Sequence, residues 1–356
     1  MKRILVVVPN EKDSGTGGQK YNKYLIKFLE RIGGNVSFLT DEMLLFKTRL
    51  SPIYNILYFL KLNTLSKADV IITNSRLYPR LFLVMNMIKL LNKKNKTICI
   101  HHHYNFLAQT GFKKKLNRYL ELNFLRKFDT LIVPSPYVKE ITGNLLPKKR
   151  IFFIEIGFVK EHSAPKEELN DDHLLYVGSI EKRKGLDLLI KSLQEVSEHY
   201  TLDIIGNYNE DDNYFKMLIA KVSENNMEDR VFFRGRVSKR ELSEYFSNAS
   251  IFVFPSLHEG YGMVIKEAML YGIPVIAFNN SAIPYLVQDG VNGILVENCN
   301  IAEFSKKLTH LLKNKELRQK LRQNNINLAK EIRSMEDVDN DIRKFYYGEI
   351  LKNDVI

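Results

Sequence analysis

Short runs of β-branched and aliphatic residues alternate along this chain with longer stretches in which apolar residues recur every three or four positions. The short runs predict strands buried on both faces, and the longer stretches, such as Gln19–Ile32 and Gly185–Glu198, predict helices between them. The strands fall into two series on either side of a polar segment at 160–173. The predicted strands are Ile4–Val8, Asn35–Leu39, Val70–Thr73, Thr97–Ile100, Thr130–Val133, Phe152–Ile154, Leu174–Val177, Leu202–Ile205, Val231–Phe233, Ile251–Phe254, Pro274–Ile276 and Gly293–Val296.

This alternation predicts an α/β protein with two Rossmann-like domains, each containing a parallel sheet covered by helices. We place the N-terminal domain at 1–160, the second domain at 161–335 and a C-terminal helix at 336–356, which we expect to pack back toward the N-terminal domain. Open parallel sheets bind ligands at the carboxyl ends of their strands. We therefore expect the two sheets to face each other across a cleft that holds the functional site.

The composition is that of an ordinary globular protein, with 45% hydrophobic and 26% charged residues. The two cysteines, Cys99 and Cys299, lie in segments predicted to be regular structure, where we expect them to be small buried hydrophobic residues. So few thiols exclude a disulfide framework and indicate a reducing, cytoplasmic environment. We find no stretch that is long and apolar enough to span a bilayer.

Positive charge is concentrated in the first half of the chain. Residues 1–160 contain 28 Lys and Arg against 10 Asp and Glu, whereas the whole chain has a net charge of +12. This asymmetry suggests an anionic partner, and a solvated lysine-rich surface is the alternative. Because no nucleic-acid-binding motif is present, we do not expect a nucleic-acid partner.

Two basic segments of the first half also contain aromatic and aliphatic residues, as interfacial membrane helices do. They are Met43–Leu62 and Lys113–Lys127. We therefore expect peripheral association with an anionic membrane surface on the inner face of the cell membrane. The alternative is that Met43–Leu62 is buried core and that the lysines are scattered.

The strongest chemical signal lies between His258 and Glu267, where a glycine-containing loop follows a predicted strand and leads into a helix. The free N–H groups and the positive dipole end of such a helix favour a phosphate. The carboxylates of Glu259 and Glu267 can each accept hydrogen bonds from two sugar hydroxyls. A capped helix with two solvated glutamates is the alternative interpretation.

Three further segments contain polar groups beside predicted strand ends. Arg183 and Lys184 precede a helix and could neutralise a diphosphate, although a basic pair in a loop is more often plain surface. The glycine-rich run 14–20 resembles a phosphate-binding turn, but it matches neither GxGxxG nor the Walker A spacing. The side chains of His101 to His103 would point in alternate directions in an extended segment, and no Cys or carboxylate lies at ligand spacing from them. This favours a single imidazole in the cleft over a metal site.

The segment PSLHEGYGMVIKEAMLYGIPVIA, in which seven residues separate Glu259 from Glu267, resembles the signature of the retaining GT-B glycosyltransferases of glycosyltransferase family 4. The resemblance covers most of the second half, where HLLYVGSIEKRKGLDLLI, LDIIGNY, VFFRGRV and SAIPYLVQDGVNGILV follow in the family's order. The first half matches more loosely, through Gly17-Gly18, a histidine after the fourth strand and LIVPSPYVKEI. The resemblance implies transfer of a hexose from a nucleotide-diphospho-sugar donor with retention of configuration, without a metal or other cofactor.

The resemblance also implies roles for the matching residues. The implied catalytic residues are Glu259 at the donor sugar hydroxyls, His102 on the acceptor side, and Arg183 and Lys184 at the diphosphate, with His101 and His103 as register alternatives to His102. The implied donor-binding residues are Gly17 and Gly18 at the phosphates, Val237 at the base, Gly260, Tyr261, Gly262, Met263 and Val264 through backbone N–H groups, and Glu267 at the ribose.

The chain departs from the family pattern at Ser179, where many members have arginine, and at Tyr285, where glutamate is usual. In such enzymes the N-terminal domain usually faces the acceptor. Since this domain is basic, we expect a lipid-linked or cell-surface polysaccharide precursor as the acceptor. The competing hypotheses are a sugar-nucleotide epimerase with a similar fold and a non-catalytic binding protein. The sequence leaves the sugar, its nucleotide, the linkage and the oligomeric state open.

Overall fold

Parallel strand pairing divides the chain into two units in the computed structural model, which describes residues 2–8, 17–32, 35–40, 58, 61–91, 94–158 and 172–351. The first unit comprises Met1–Gly157 together with Arg333–Ile356, and the second comprises Phe158–Ile332. The polar segment expected at the domain boundary lies almost entirely outside the described residues, as does most of Met43–Leu62.

The first unit is built on a six-stranded parallel sheet with the strand order β2-β1-β3-β4-β5-β6. Its middle strands are buried on both faces because their residues are almost all aliphatic. The strands are β1 (Arg3–Val8), β2 (Asn35–Thr40), β3 (Val70–Asn74), β4 (Lys96–Ile100), β5 (Thr130–Val133) and β6 (Arg150–Phe153). The described helices are α1 (Gly17–Arg31), α2 (Leu62–Lys67), α3 (Tyr78–Leu91), α4 (Gly111–Arg126) and α5 (Pro136–Leu145).

The second unit repeats this plan with the strand order β12-β11-β10-β7-β8-β9, again all parallel. Strands β7 and β10 are neighbours although they are distant in sequence, so the loops that follow them lie side by side. The strands are β7 (His173–Val177), β8 (Thr201–Ile205), β9 (Val231–Gly235), β10 (Ile251–Phe254), β11 (Val275–Phe278) and β12 (Gly293–Val296). The helices are α6 (Leu186–Leu193), α7 (Asn213–Glu224), α8 (Lys239–Asn248), α9 (Met263–Leu270), α10 (Ile301–Lys313) and α11 (Lys315–Ala329).

The end of the chain packs into the first unit through helix α12 (Met335–Phe345) and a π-helical turn at Tyr346–Leu351. The hydroxyl of Tyr24 on α1 donates to Asp339 on α12. In the π-helical turn, Glu349 is buried and its carboxylate pairs with Lys96 at 2.8 Å and with Arg150. Lys96 is the first residue of β4 and Arg150 is the first residue of β6, so this carboxylate links both strands to the C-terminal segment.

The predicted α/β fold and all twelve predicted strands are confirmed, with ends shifted by at most two residues. The helix predicted at Gly185–Glu198 ends earlier, at Leu193, because the chain turns there before β8. The prediction for Cys299 is wrong, since this residue is exposed in the turn after β12 with φ of 64°. Cys99 is buried in β4 as expected. No helix in the described part of the chain is long and apolar enough to cross a membrane.

We expect Glu349→Gln to loosen the C-terminal segment, because it leaves Lys96 and Arg150 without their shared anion. Losing one partner of a fully buried pair costs about 3–5 kcal/mol. The side chain of Arg150 is 61% exposed, so water offsets part of the loss. We expect the unfolding free energy to fall by about 1–2 kcal/mol. Hydrogen exchange over residues 335–351, followed by mass spectrometry, should accelerate.

Glu30→Gln is the matched control, because Glu30 is an exposed glutamate of the same unit on α1. Exchange in the 335–351 segment should remain at the wild-type rate in this variant. Equal exchange in Glu349→Gln and Glu30→Gln would contradict the anchoring role of Glu349.

Candidate active site

The loops that follow the neighbouring strands β7 and β10 are joined by their backbones. The N–H of Leu257 donates to the carbonyl of Arg183 at 2.9 Å. Gly185 adopts φ of 68°, and a Cβ atom there would lie 2.1 Å from the carbonyl oxygen of Pro255. Only glycine allows this approach, since any side chain would collide with backbone. The residues just before Gly185 are therefore held against the residues just after β10.

This junction buries the carboxylate of Glu259 among hydrogen-bond donors. Its Oε1 atom accepts from the ammonium group of Lys184 and from the hydroxyl of Ser256 at 2.7 Å, and the Arg183 guanidinium lies 3.7 Å away. Burial alone would raise the pKa of Glu259, but the charges of Lys184 and Arg183 and the hydrogen bonds outweigh it and lower the pKa. Glu259 is therefore an ionised carboxylate in a nearly closed environment.

The two cations beside Glu259 differ in their exposure. Lys184 is 8% exposed, and its ammonium group also lies 5.2 Å from the centre of the Phe254 ring. The Arg183 side chain is 45% exposed and donates to Glu181 at 2.9 Å. Lys184 therefore neutralises the buried carboxylate, whereas Arg183 remains accessible to an anionic ligand.

Helix α9 begins beside Glu259 without a side-chain cap. Gly262, at the N-cap, has φ of 87°, a left-handed conformation that favours glycine. The N–H groups of Met263 and Val264 have no partner in the described part of the chain. Together with the helix dipole they form a site suited to a phosphate oxygen. Gly260 and Tyr261 lie in the loop before this helix.

Glu267 and Val237 occupy different positions relative to this centre. Glu267 is the fifth residue of α9, half-buried, about one turn beyond the helix start. Val237 is also half-buried and follows β9, which is three strands from β10 in the sheet. At about 4.8 Å per strand this separation is roughly 14 Å. A ligand that contacts both Glu259 and Val237 must extend along the edge of the sheet.

The loop after β11 forms hydrogen bonds with the backbone around Glu259. These contacts were not predicted from the sequence. The N–H of Ala282 donates to the carbonyl of Glu259 at 3.3 Å, and the amide of Asn280 donates to the carbonyl of Ser256 at 2.9 Å. Ser281 donates its hydroxyl to Asn280 and receives the Nδ1–H of His258 at 3.0 Å. Asn280 and Ser281 are polar residues that follow a buried strand, and that position was their only sequence signal.

In the first unit, the structure brings Gly18 and His102 together. A Cβ atom on Gly18 would lie 3.5 Å from the His102 ring, so the start of α1 packs on the imidazole. Asn22 Oδ1 accepts a hydrogen bond from His102 Nε2 at 2.8 Å, which assigns the proton to Nε2. Burial and the nearby His103 and Arg76 lower the pKa of His102 to about 3. His102 is therefore a neutral imidazole whose Nδ1 atom carries the lone pair.

The alternative histidines are placed differently. His101 is fully buried, its ring centre lies 4.2 Å from that of Tyr104, and no described residue forms a hydrogen bond with either ring nitrogen. His103 is half-buried. Gly17 is the first residue of α1, and the preceding part of the glycine-rich run lies outside the described residues.

Other predicted features of the site are as follows. Ser179 accepts the hydroxyl of Tyr176 on its backbone carbonyl at 3.2 Å, and Tyr285 is 42% exposed after β11. Within the described ranges, no three His, Cys, Asp or Glu residues form a group that could hold a metal ion.

Comparison with known proteins identifies the family. Residues 159–328 match the model of the glycosyl transferases group 1 family. An uncharacterized 41.2 kDa protein in the cps region of Klebsiella pneumoniae is 31% identical over 284 residues, which are 75% of this chain and 72% of that protein. A poly(ribitol-phosphate) alpha-N-acetylglucosaminyltransferase of Staphylococcus aureus is 30% identical over 224 residues, which are 62% of this chain and 44% of that enzyme.

The fold also matches a solved structure over its full length. A sucrose-phosphate synthase from Thermosynechococcus elongatus superimposes with a TM-score of 0.81 and 18% identity, covering 99% of this chain and 100% of that one. At this identity the likeness concerns the fold alone. The family match, the Klebsiella relative and this structural likeness lead to one conclusion: the chain belongs to the glycosyl transferases group 1 family and has the GT-B fold.

Proposed function

We propose that this protein transfers a hexose from a nucleotide-diphospho-sugar to an acceptor hydroxyl, with retention of the anomeric configuration and without a metal ion. The observation that carries the proposal is the buried, ionised carboxylate of Glu259, which Lys184 neutralises beside the uncapped start of α9. A carboxylate for sugar hydroxyls and a phosphate site thus lie next to each other. This pairing fits the two chemically different ends of a sugar diphosphate.

The contacts of Glu259 suggest how it would hold the sugar. Both of its hydrogen bonds to side chains use Oε1, and Oε2 has no partner among the described residues. Oε2 is therefore available to accept hydrogen bonds from the donor sugar. Since Lys184 and Ser256 fix the other oxygen, the carboxylate is already oriented before a ligand arrives.

In the proposed reaction, the bond between the anomeric carbon and the leaving phosphate oxygen breaks as the acceptor oxygen bonds to the same face of that carbon. The acceptor proton passes to the departing diphosphate. Arg183, Lys184 and the N–H groups of Met263 and Val264 would stabilise the negative charge that develops there. Glu267 would bind the ribose and the backbone at Val237 the base. Gly17, Gly18 and His102 would act from the first unit.

The comparisons support sugar transfer as the class of reaction. The Staphylococcus relative is named as a transferase of α-N-acetylglucosamine to poly(ribitol-phosphate). We extend to this chain only the class of reaction, the transfer of a sugar to an acceptor. A lipid-linked or cell-surface polysaccharide precursor remains our proposed acceptor.

We also propose that helix α4 contacts an anionic membrane surface. Its first ten residues are almost all exposed, and Phe112, Leu116 and Tyr119 form an apolar stripe with exposures of 80%, 46% and 67%. Cationic residues lie beside this stripe and on the opposite side of the helix, at Lys113, Lys114, Lys115 and Arg118. Asn117 faces the body of the unit, where it bonds Tyr78 at 3.2 Å and Gln109 at 2.6 Å. An apolar stripe bordered by lysines suits the interface of an anionic bilayer.

The first expected outcome concerns the donor. We expect one class among UDP-, GDP- and ADP-sugars to raise the thermal unfolding midpoint of the protein, equally with and without EDTA. Glu259→Gln should abolish this shift, because the neutral amide loses both the pairing with Lys184 and the sugar contact. Glu224→Gln, an exposed glutamate at the end of α7, is the control and should respond like the wild type. No shift with any nucleotide-sugar would reject the proposed function.

The second expected outcome concerns catalysis. Arg183→Gln should reduce kcat about 10²–10³-fold while the protein stays folded, since Lys184 still neutralises Glu259. Lys184→Gln should reduce kcat at least as much and should also lower the unfolding midpoint. Product analysis by NMR should show an α-linkage from an α-configured donor. A β-linked product would exclude retention, and conversion of the donor to an epimer would indicate the epimerase hypothesis.

The third expected outcome concerns the membrane. The protein should float with vesicles that contain an anionic lipid and should not float with zwitterionic vesicles. Replacing Phe112, Leu116 and Tyr119 together by serine should reduce flotation about tenfold, because the apolar stripe is removed. Serine at Ile219 and Val291, two exposed apolar residues of the second unit, should leave flotation unchanged. Absence of flotation in the wild type would reject membrane association.

A further inference from the structure

The carboxyl ends of β1, β3 and β4 bring a second group of polar residues together in the first unit. These strands are neighbours in the sheet, and all run in the same direction. Asn22 lies on α1 after β1, Asn74 and Arg76 end and follow β3, and His102 follows β4. In the sheet, β2 lies on one side of β1 and β3 lies on the other, so the strand order reverses at β1. Open α/β sheets bind ligands at the carboxyl ends of the strands where the order reverses in this way.

Arg76 provides a positive charge at this edge. It lies in the short turn Ser75–Leu77, where its backbone N–H donates to Asn74 Oδ1 at 2.8 Å. Its side chain is exposed, and no described residue pairs with its guanidinium. Arg76 and His102 follow the neighbouring parallel strands β3 and β4, so both lie at the same edge of the sheet. The turn is thus held by the buried asparagine, while the guanidinium remains available.

Two buried amide groups beside Arg76 and His102 have unused donors. Asn74 is fully buried and Asn22 is 3% exposed. Each uses its amide oxygen, Asn74 for Arg76 and Asn22 for His102, and each leaves its Nδ2 group without a partner among the described residues. A buried donor without a partner is unfavourable, so native proteins rarely keep one unless a ligand or water satisfies it.

The unused groups have a common chemical character. The guanidinium of Arg76 and the two amide Nδ2 groups are all donors, and one of them carries a full positive charge. Burial, His103 and Arg76 all lower the pKa of His102 and so disfavour its protonation. A site with cationic and amide donors suits an oxyanion, which presents several acceptor lone pairs. A neutral sugar, whose hydroxyls donate as well as accept hydrogen bonds, would not need a site made only of donors with a positive charge.

We propose that Arg76, with Asn74 and Asn22, binds an oxyanion of the acceptor, either a phosphate or a carboxylate. The inference deepens the proposed function, since it assigns the acceptor to a charged class. The neutral His102 then stands beside the bound anion with its Nδ1 lone pair free of described partners. It would orient the reacting hydroxyl by accepting a hydrogen bond from it.

The test follows the His102 imidazole directly. The full chain is labelled with ¹³C-histidine, and the His102 ring signal is assigned by its loss in His102→Gln. Glycerol 3-phosphate, glucuronate and neutral glucose are then titrated separately. We expect at least one of the two anions to shift the His102 signal and to raise its pKa from about 3, because a nearby negative charge favours the imidazolium. Glucose should leave both unchanged.

Variants connect the response to Arg76. Arg76→Gln should weaken the anion affinity about tenfold or more, since a charge-assisted hydrogen bond is lost. Arg126→Gln removes an exposed arginine at the end of α4 and should keep the wild-type affinity. Preference for glycerol 3-phosphate would assign a phosphorylated acceptor, and preference for glucuronate would assign a uronic acid.

The inference is overturned if neither anion moves the His102 signal, or if Arg76→Gln binds the anions as tightly as the wild type. Its failure is separable from that of the proposed function, because the nucleotide-sugar shift is measured on the same variants. Arg76→Gln should retain the wild-type shift with the donor. If Arg76→Gln instead lost the donor shift and kept the anion affinity, Arg76 would belong to donor binding and the acceptor assignment would be wrong.

Discussion

The candidate active site depends on the neutralisation of one buried carboxylate. Glu259 is 7% exposed, and an ionised carboxyl group at this depth is costly unless a cation lies against it. Lys184 provides that cation, but it comes from the loop after another strand. The approach of Lys184 requires that β7 and β10 be neighbours in the sheet. It also requires glycine at position 185, because a Cβ atom there would lie only 2.1 Å from the carbonyl oxygen of Pro255. Strand order, one glycine and one ion pair therefore form a single constraint.

The same sheet geometry has a different result in the first unit. There the strand ends also gather polar side chains, but no described carboxylate bonds to them. Asn22 and Asn74 accept hydrogen bonds on their amide oxygens, and no described residue accepts from their Nδ2 groups. At the carboxyl ends of its strands the second unit thus has an internally neutralised anion, whereas the described residues at the corresponding position of the first unit are donors without an anion. This difference matches a division of labour in which the second unit holds a sugar through a carboxylate and the first unit holds a negatively charged group.

Much of this arrangement could be predicted from the sequence. Alternating buried strands and amphipathic helices fixed the α/β fold, and the run from His258 to Glu267 located the helix start. The pairing of Lys184 with Glu259 could not be predicted from physical patterns, because it depends on β7 and β10 being neighbours, and strand order is a long-range property. Ser256, Ser281, Asn74 and Arg76 were missed because isolated polar residues in loops have no periodicity. The exposed position of Cys299 was missed because its short turn interrupts no apolar pattern.

The two protonation states explain why the proposed transfer needs no protein base. The pKa of Glu259 is lowered from 4.5, so this group is ionised at every pH above that value. The pKa of His102 is about 3, so its imidazole is neutral over the same range. In the absence of a bound anion, neither group would exchange a proton near neutral pH, since its surroundings favour the ionised carboxylate in one case and the neutral imidazole in the other. An anionic diphosphate is then the better acceptor for the proton of the attacking hydroxyl, and the protein contributes fixed charges and orientation.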